Sequence, residues 1–103
     1  MKRLSVVLSP RASHQLADLR NYIETDSGAA RANSFVDAIV DYCGGIAVFP
    51  KRGTKRDDLL AGLRVIGCRR RATIVFTIEP QGVVIQGVFY GGQDYEAALR
   101  EPP

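Results

Sequence analysis

Apolar residues in the first half of the chain recur at the spacing of two amphipathic helices. The first stripe has intervals of four, three and four residues and comprises Ala12, Leu16, Leu19 and Ile23. Ser9 and Pro10 predict where this helix begins, because serine caps helix N-termini and proline suits the first helical position. The second stripe comprises Phe35, Val36, Ile39, Cys43 and Ile46 and ends before Pro50. The intervening "TDSGAA" breaks the pattern, which therefore predicts a helical hairpin with one apolar face.

β-Branched and alternating segments predict strands on either side of this hairpin. The segment "RLSVVLS" precedes it, with Leu4, Val6 and Leu8 on one face. The second half contains "LRVIG", "RATIVFTI" and "VVIQGVFY", and the last two are joined by the turn sequence "EPQG". The order predicts one α+β domain over residues 1–103: an N-terminal strand, a two-helix hairpin and a three-stranded antiparallel meander, with the first strand at its edge.

The turns fix a predicted register for the meander. Pairing of Ile78 with Val83 places Arg71 opposite Tyr90, and a short turn at "GCRR" places Ile66 opposite Arg71. One sheet face then becomes wholly apolar and is expected to pack on the helical hairpin. It comprises Leu63, Val65, Ala72, Ile74, Phe76, Ile78, Val83, Ile85 and Phe89.

The other face of the predicted sheet is only half apolar. It comprises Arg64, Ile66, Arg71, Thr73, Val75, Thr77, Val84, Gln86, Val88 and Tyr90. Only the short tail "QDYEAALR" remains to cover it, and we expect the tail to be too small for that purpose. An open, half-apolar face of this size predicts a protein partner.

Charge adds one asymmetry to an otherwise ordinary globular composition. The 103 residues are 46% hydrophobic and 24% charged, and no apolar run suits a membrane span or a signal-peptide core, which predicts a cytoplasmic protein. The net charge is +3, yet residues 51–71 contain eight Lys or Arg and two Asp. This basic segment, which includes a predicted loop at 51–62, predicts an anionic partner.

Residues suited to metal binding are few. The chain has one histidine, His14, which falls off the apolar stripe of its helix, and two cysteines, Cys43 and Cys68, outside any paired motif. We therefore expect no zinc site and no cofactor. Cys43 is expected to pack in the core and His14 to lie on the surface.

The order of elements and three segments of the sequence resemble the RelE/ParE superfamily of type II toxins. The segments are "LSPRASHQLADLRNYI", "FPKRGTKRDDLLAGLRVIGCRRRATIVFTI" and "VFYGGQDYEAAL". The resemblance covers nearly the whole chain. The last strand runs into Tyr-Gly-Gly-Gln-Asp-Tyr, which looks most like the ParE branch.

The resemblance implies a toxin that inhibits DNA gyrase by binding and is not an enzyme. It also implies a ParD-type antitoxin with a ribbon-helix-helix domain and a flexible tail, through which alone the toxin would meet DNA. RelE proteins share the fold and cleave messenger RNA on the ribosome, so a ribonuclease remains an alternative, as does a binding module without toxicity. Arg64, Arg71 and Tyr90, with Lys51 or Lys55, suit phosphate binding, but the predicted open face offers no histidine or carboxylate for proton transfer.

Two surfaces are expected to carry the interactions. The predicted target-binding residues lie at the rim of the sheet and after its last strand: Arg69, Arg70, Arg71, Tyr90, Gln93, Asp94 and Tyr95. An acidic antitoxin tail is expected over the open face, on Arg64, Arg71, Val75, Val84 and Val88. The alternative for Tyr95 and Leu99 is a terminal helix that packs back on the core.

Overall fold

The computed structural model describes residues 5–68 and 71–100, so Leu4, Arg69 and Arg70 lie outside the described residues. The elements are β1 (Ser5–Leu8), α1 (Pro10–Ser27), α2 (Ala29–Val48), β2 (Thr54–Lys55), β3 (Arg64–Cys68), β4 (Ala72–Glu79), β5 (Gly82–Tyr90) and α3 (Tyr95–Arg100). The predicted α+β order is confirmed. The two-residue strand β2 and the terminal helix α3 are additional to it.

The helical hairpin forms where the local sequence favours it. The Ser9 hydroxyl accepts a hydrogen bond from the Ala12 N–H at 3.1 Å, and Pro10 occupies the first turn of α1. Gly28 separates the two helices with φ of 93°, a conformation that residues with a side chain rarely adopt. The predicted stripe of α1 is buried throughout, and that of α2 is buried at Ile39, Cys43 and Ile46.

The five strands form one mixed sheet in the order β1-β5-β4-β3-β2. β1 runs parallel to β5, and the other neighbours are antiparallel. The predicted position of the N-terminal strand at the edge of the meander is confirmed. The helical hairpin follows β1 and covers one face of the sheet. The connection between β5 and α3, residues 91–94, is exposed at the end of the meander.

The predicted register of β4 and β5 is right near their turn and wrong farther along. Ile78 pairs with Val83 as predicted. A β-bulge beside Val75 and Phe76 then adds one residue to β5, so Tyr90 pairs with Ala72 and not with Arg71. Side chains of β5 beyond the bulge therefore change faces.

The predicted register of β3 is also wrong. Ile66 pairs with Ile74 and not with Arg71, because the ladder continues to Cys68 and Ala72 before the chain turns. This displacement is three residues, and an odd displacement moves every side chain of a strand to the opposite face. Arg64 and Ile66 consequently lie on the side of the sheet that faces the helices.

The sheet has a core on each face. The helix side carries the main core, which includes Ile74, Phe76 and Val88. On the other side, Leu63, Val75 and Phe89 form a smaller cluster against α3. Leu63, Val65 and Phe89 were predicted to face the helical hairpin, and Ile66, Val88 and Tyr90 were predicted to face away. All six predictions are wrong, for the register reasons above.

The tail covers part of the face that was expected to be open. Tyr95, Ala98 and Leu99 pack against the smaller cluster. The alternative stated for Tyr95 and Leu99, a terminal helix packed back on the core, describes the structure. The expectation that the tail is too small to cover this face is wrong over Val75 and Phe89.

Candidate functional site

Three aromatic rings and one guanidinium group meet at the end of β5. We call them the Tyr90 cluster: Tyr22 of α1, Phe35 of α2, Arg71 before β4, and Tyr90 of β5. The Phe35 ring meets Tyr90 edge-on, with centroids 5.5 Å apart, and the Tyr22 centroid is 6.2 Å away. The Arg71 guanidinium lies over the Tyr90 ring at 5.9 Å. This geometry is a cation–π contact. It forms although Tyr90 pairs with Ala72 and not, as predicted, with Arg71.

Local backbone geometry turns the chain sharply beside this cluster. Gly91 has φ of 66°, and its N–H donates to the Arg71 carbonyl at 2.7 Å. The Tyr90 N–H donates to the Gln93 side-chain carbonyl, also at 2.7 Å. These bonds fix where β5 ends and hold the Gln93 side chain against it.

Two surface clefts adjoin the Tyr90 cluster and share Tyr22, Arg71 and Tyr90 as lining residues. The first has a volume of about 420 Å³ and includes Asp18 and Gln93. The second has a volume of about 480 Å³, and its lining residues include Asp26, Arg31 and Ser34. Tyr22 is 62% exposed, which is a large exposure for an aromatic side chain in contact with another ring. The clefts and the exposed ring together form a surface suited to a partner.

Sequence reasoning missed the contribution of α1 to this surface. Asp18, Tyr22 and Asp26 recur every four residues, so they form a stripe beside the buried one. That spacing was a usable signal, because it places three side chains on one exposed side of α1. The structure thus places carboxylates near Arg71, where none was expected.

Arg64 does not join Arg71 and Tyr90. It pairs with Phe76, four residues along β4 from the position opposite Tyr90, which separates the two ends by about 13 Å at strand rise. Lys55 pairs with Arg64 and therefore lies at the same distant end. The set of Arg64, Arg71, Tyr90 and a loop lysine is therefore divided between two ends of the sheet.

The predicted target-binding residues of the tail have different positions. Gln93 is exposed at the first cleft. Asp94 accepts a hydrogen bond from the Ala97 N–H at 3.1 Å and so caps α3. The Tyr95 ring packs against Phe89 with centroids 6.1 Å apart. Arg71, Tyr90 and Gln93 are brought together, whereas Asp94 and Tyr95 belong to the docked helix; Arg69 and Arg70 lie outside the described residues.

Arg56 anchors α3 to the basic loop. Its guanidinium contacts Asp58 at 2.8 Å and Glu96 at 2.7 Å, and its Nη1 lies 3.4 Å from the Tyr95 hydroxyl. The hydrogen bonds that Arg56 donates to Asp58 and Glu96 raise the pKa of Arg56 above its ordinary value. The bond from Arg56 in turn lowers the pKa of Asp58.

Acid should weaken this anchor through Asp58. The pKa of Asp58 is lower in the folded state than its ordinary value of 3.8, so its contribution to stability is present above 3.8 and is lost as the pH falls through the lowered pKa. We expect Asp58→Asn to make the free energy of unfolding less dependent on pH in the acid range. Urea unfolding between about pH 6 and about pH 2 measures this. Asp37→Asn, at an exposed site on α2, is the charge-matched control; identical acid profiles for the two variants would contradict the prediction.

Two of the predicted antitoxin-binding residues are buried. Val75 is fully buried beneath α3, and Val88 is 2% exposed on the helix side, so the prediction that both lie on an open face is wrong. Val84 and Arg64 are half-buried, and Arg71 is exposed. Those three side chains can be reached by a partner without rearrangement of the fold.

Cys43 and His14 lie where the sequence predicted them. Burial, and secondarily the Cys68 thiol, raise the pKa of Cys43 to about 11, which suits the predicted core packing and disfavours a reactive thiolate. His14 is exposed, as predicted. Over residues 5–68 and 71–100 no group of three or more metal-ligating side chains occurs. Neither α1, α2 nor α3 is long and apolar enough to cross a membrane.

Comparison with known proteins settles the family. The family described as "ParE toxin of type II toxin-antitoxin system, parDE" matches residues 6–95. The chain belongs to this family. It is therefore a ParE-type toxin of a type II toxin–antitoxin system, as the resemblance in its sequence implied. No curated protein matches it in sequence.

Solved structures support the fold. A chain of the "Chromosomal ParDE TA system from P. aeruginosa" is similar with a TM-score of 0.74 and 17% identity, over 86% of this chain and 97% of that one. A chain of the toxin–antitoxin complex RelBE2 from Mycobacterium tuberculosis is similar with a TM-score of 0.61 and 20% identity, over 86% of this chain and 99% of that one. At these identities the likeness concerns the fold alone.

Proposed function

We propose that this ParE-type toxin inhibits DNA gyrase by binding it in the cytoplasm, carries out no covalent chemistry, and is neutralised by a ParD-type antitoxin. The observation that carries the proposal is the match to the ParE toxin family over residues 6–95. The similar structure from P. aeruginosa is of a ParDE system, which supports an antitoxin partner of the ParD type.

The Tyr90 cluster is the surface we assign to gyrase. Its rings are packed against one another, so they lose little conformational freedom on binding, and aromatic and arginine side chains dominate the energetics of protein interfaces. Gln93 extends the surface along the first cleft. Arg69 and Arg70 directly precede Arg71 and are proposed to continue the contact, and Asp94 and Tyr95 to border it through α3.

The antitoxin is proposed to bind the exposed part of the same predicted set. Arg64 and Arg71 offer positive charge to an acidic tail at two separate places, and Val84 offers half-buried apolar surface on β5, at the row next to that of Arg64. A tail that folds on binding can reach contacts that are this far apart. Because Arg71 is common to both proposed sites, a bound antitoxin would exclude gyrase directly.

A RelE-type ribonuclease is the second candidate, because one observation favours it. Asp18 lines the first cleft together with Arg71 and Tyr90, so a proton acceptor, a cation and a phenol adjoin one space. Cleavage of RNA requires proton transfer and stabilisation of phosphate charge. The separation of Arg64 and Lys55 from this cleft weighs against it, since their charges lie at the far end of β4.

Supercoiling of relaxed plasmid by purified gyrase tests the proposal. The toxin should block supercoiling, a ParD-type antitoxin should restore it, and Arg71→Gln should raise the inhibitory concentration about tenfold or more. Arg71 is exposed and its guanidinium lies over the Tyr90 ring at the surface, so the variant should fold normally. Arg20→Gln, which removes the same charge from α1 outside both clefts, should inhibit like the wild type.

The ribonuclease is tested in parallel by primer extension on message from translating ribosomes. Intact message with blocked supercoiling supports gyrase inhibition. Cleaved message with normal supercoiling would replace the proposal by the ribonuclease, and Asp18→Asn and Tyr90→Phe should then abolish cleavage. If neither assay responds, the chain acts as a binding module without toxicity and the proposal fails.

A further inference from the structure

Four cationic side chains lie together where the β2–β3 edge of the sheet meets the end of α2. We call this group the basic edge: Lys51, Arg52, Lys55 and Arg64. Lys55 and Arg64 are direct partners in the ladder of β2 and β3. The Arg64 Nη1 donates to the Arg52 carbonyl at 3.4 Å, which joins the loop to the strand. None of the four forms an ion pair with a carboxylate of the described residues.

The arginine charges of the basic edge are held in fixed positions. The Arg52 Nε donates to the Phe49 carbonyl at 2.7 Å, and its Nη2 to the Gly45 carbonyl at 3.2 Å. These carbonyls form the negative end of the α2 dipole, which stabilises a cation there. A guanidinium has five N–H donors. Arg52 uses two of its N–H groups and Arg64 one in these contacts, so both retain donors for an anion.

The acidic residues of the same loop do not neutralise this edge. Asp58 binds Arg56, which Glu96 also contacts. Asp57 accepts a hydrogen bond from the Gly62 N–H at 2.9 Å. Like charges opposite each other in a ladder are destabilising, so the Lys55–Arg64 pair costs stability that an anionic ligand would recover. The structure thus separates an internally paired arginine, Arg56, from four cations that form no ion pair among the described residues.

We propose that the basic edge binds the phosphate backbone of duplex DNA and so holds the toxin against the DNA on which its target works. The choice of DNA rests on the proposed gyrase target, and it goes beyond the expectation that the toxin meets DNA only through its antitoxin. Two exposed lysines beside two fixed guanidiniums suit a continuous row of phosphates. Binding of this kind does not require recognition of the base sequence.

An acidic peptide, such as the antitoxin tail proposed at Arg64, fits the rest of this surface less well. Peptide tails gain affinity from apolar anchors in pockets. The exposed ring nearest the basic edge is Phe49, and the Arg52 guanidinium already lies over it at 5.8 Å. Neither cleft of the Tyr90 cluster nor the groove beside β1 includes a residue of the basic edge among its lining residues. The ligand is therefore bound by charge, which is the mode of backbone contacts to DNA.

Fluorescence anisotropy of a short labelled DNA duplex, titrated with the toxin at several salt concentrations, tests the proposal. If four cations neutralise four phosphates, log K should fall with log salt at a slope of about −3.6, a loss of about 150-fold between about 50 and about 200 mM. Lys51→Gln with Lys55→Gln should halve the slope to about −1.8. Neither lysine makes a described side-chain contact, so the double variant should fold; circular dichroism checks this.

The matched control removes two charges from α1, by Arg11→Gln with Arg20→Gln. It should keep the wild-type slope. Equal slopes for the two double variants would overturn the proposal and leave the lysines as protection of a sheet edge against aggregation. Tighter binding of single-stranded RNA or of polyglutamate than of duplex DNA would overturn it in favour of a ribonuclease surface or an antitoxin contact. These outcomes are independent of gyrase: a toxin that blocks supercoiling but does not bind the duplex refutes the basic edge alone.

Discussion

Replacing Phe76 by Ala is expected to lower the free energy of unfolding by about 3–5 kcal/mol. Phe76 is fully buried in the main core, and it lies on the central strand β4 between partners on both sides. Because β4 is paired with a strand on each side, its backbone has little freedom to move in and fill the cavity that truncation leaves. The loss is a large part of the roughly 5–15 kcal/mol that stabilises a domain.

Urea unfolding followed by circular dichroism measures the effect. Phe49→Ala is the matched control, because it removes the same atoms from a side chain that is 58% exposed and lies under the Arg52 guanidinium. It should change the free energy of unfolding by less than about 1 kcal/mol. Similar losses in the two variants would mean that the main core is not centred on Phe76.

The helices and the strand order were predictable because their signals are local. The spacing of Ala12, Leu16 and Leu19 admits one helical face, and Ser9 with Pro10 leaves little choice for where it begins. The turn "EPQG" likewise fixes the first pairs of β4 and β5. In each case a few neighbouring residues determine the geometry.

The register beyond the turn was not predictable in the same way. Residues 83–90 carry apolar side chains on both faces, with Gln86 as the one polar side chain, so alternation does not reveal an added residue. β1 ends opposite Ile85, and farther along β5 the Val88 N–H donates to the Gln15 side chain at 2.7 Å, a partner 73 residues away. A Cβ on Gly87 would press against the Phe89 ring, so glycine at this position was a sign of the bulge.

Only the strand residues of the candidate site were predicted, again because their signals are local. Arg71 and Tyr90 were identified as neighbours because each ends a recognisable strand, and their contact tolerates a one-residue error in register. Tyr22 and Asp18 were missed because α1 had been considered only for its buried face. Docking of α3 depends on Arg56 meeting Glu96, 40 residues later, which no local pattern indicates.

Gly82→Ala is the second substitution with a large expected effect, because it attacks the joint between β1 and the rest of the sheet. Gly82 pairs with Ser5, and a Cβ there would overlap the Ser5 backbone. Its φ of 151° also disfavours a residue with a side chain. Strain and overpacking together should cost about 2–4 kcal/mol. β1 can escape the overlap only by leaving β5.

The substitution should therefore lower the free energy of unfolding and also loosen β1 locally. Hydrogen exchange should show faster exchange at the β1 amides and at Ser9, whose N–H donates to the Ile85 carbonyl at 2.9 Å, while β3 and β4 keep their protection. Gly92→Ala is the control, since a Cβ there meets nothing within 4 Å. Uniform exchange across all strands in Gly82→Ala would contradict separate detachment of β1. Unchanged exchange in both variants would show that a Cβ at position 82 does not overlap the Ser5 backbone, and the prediction would fail.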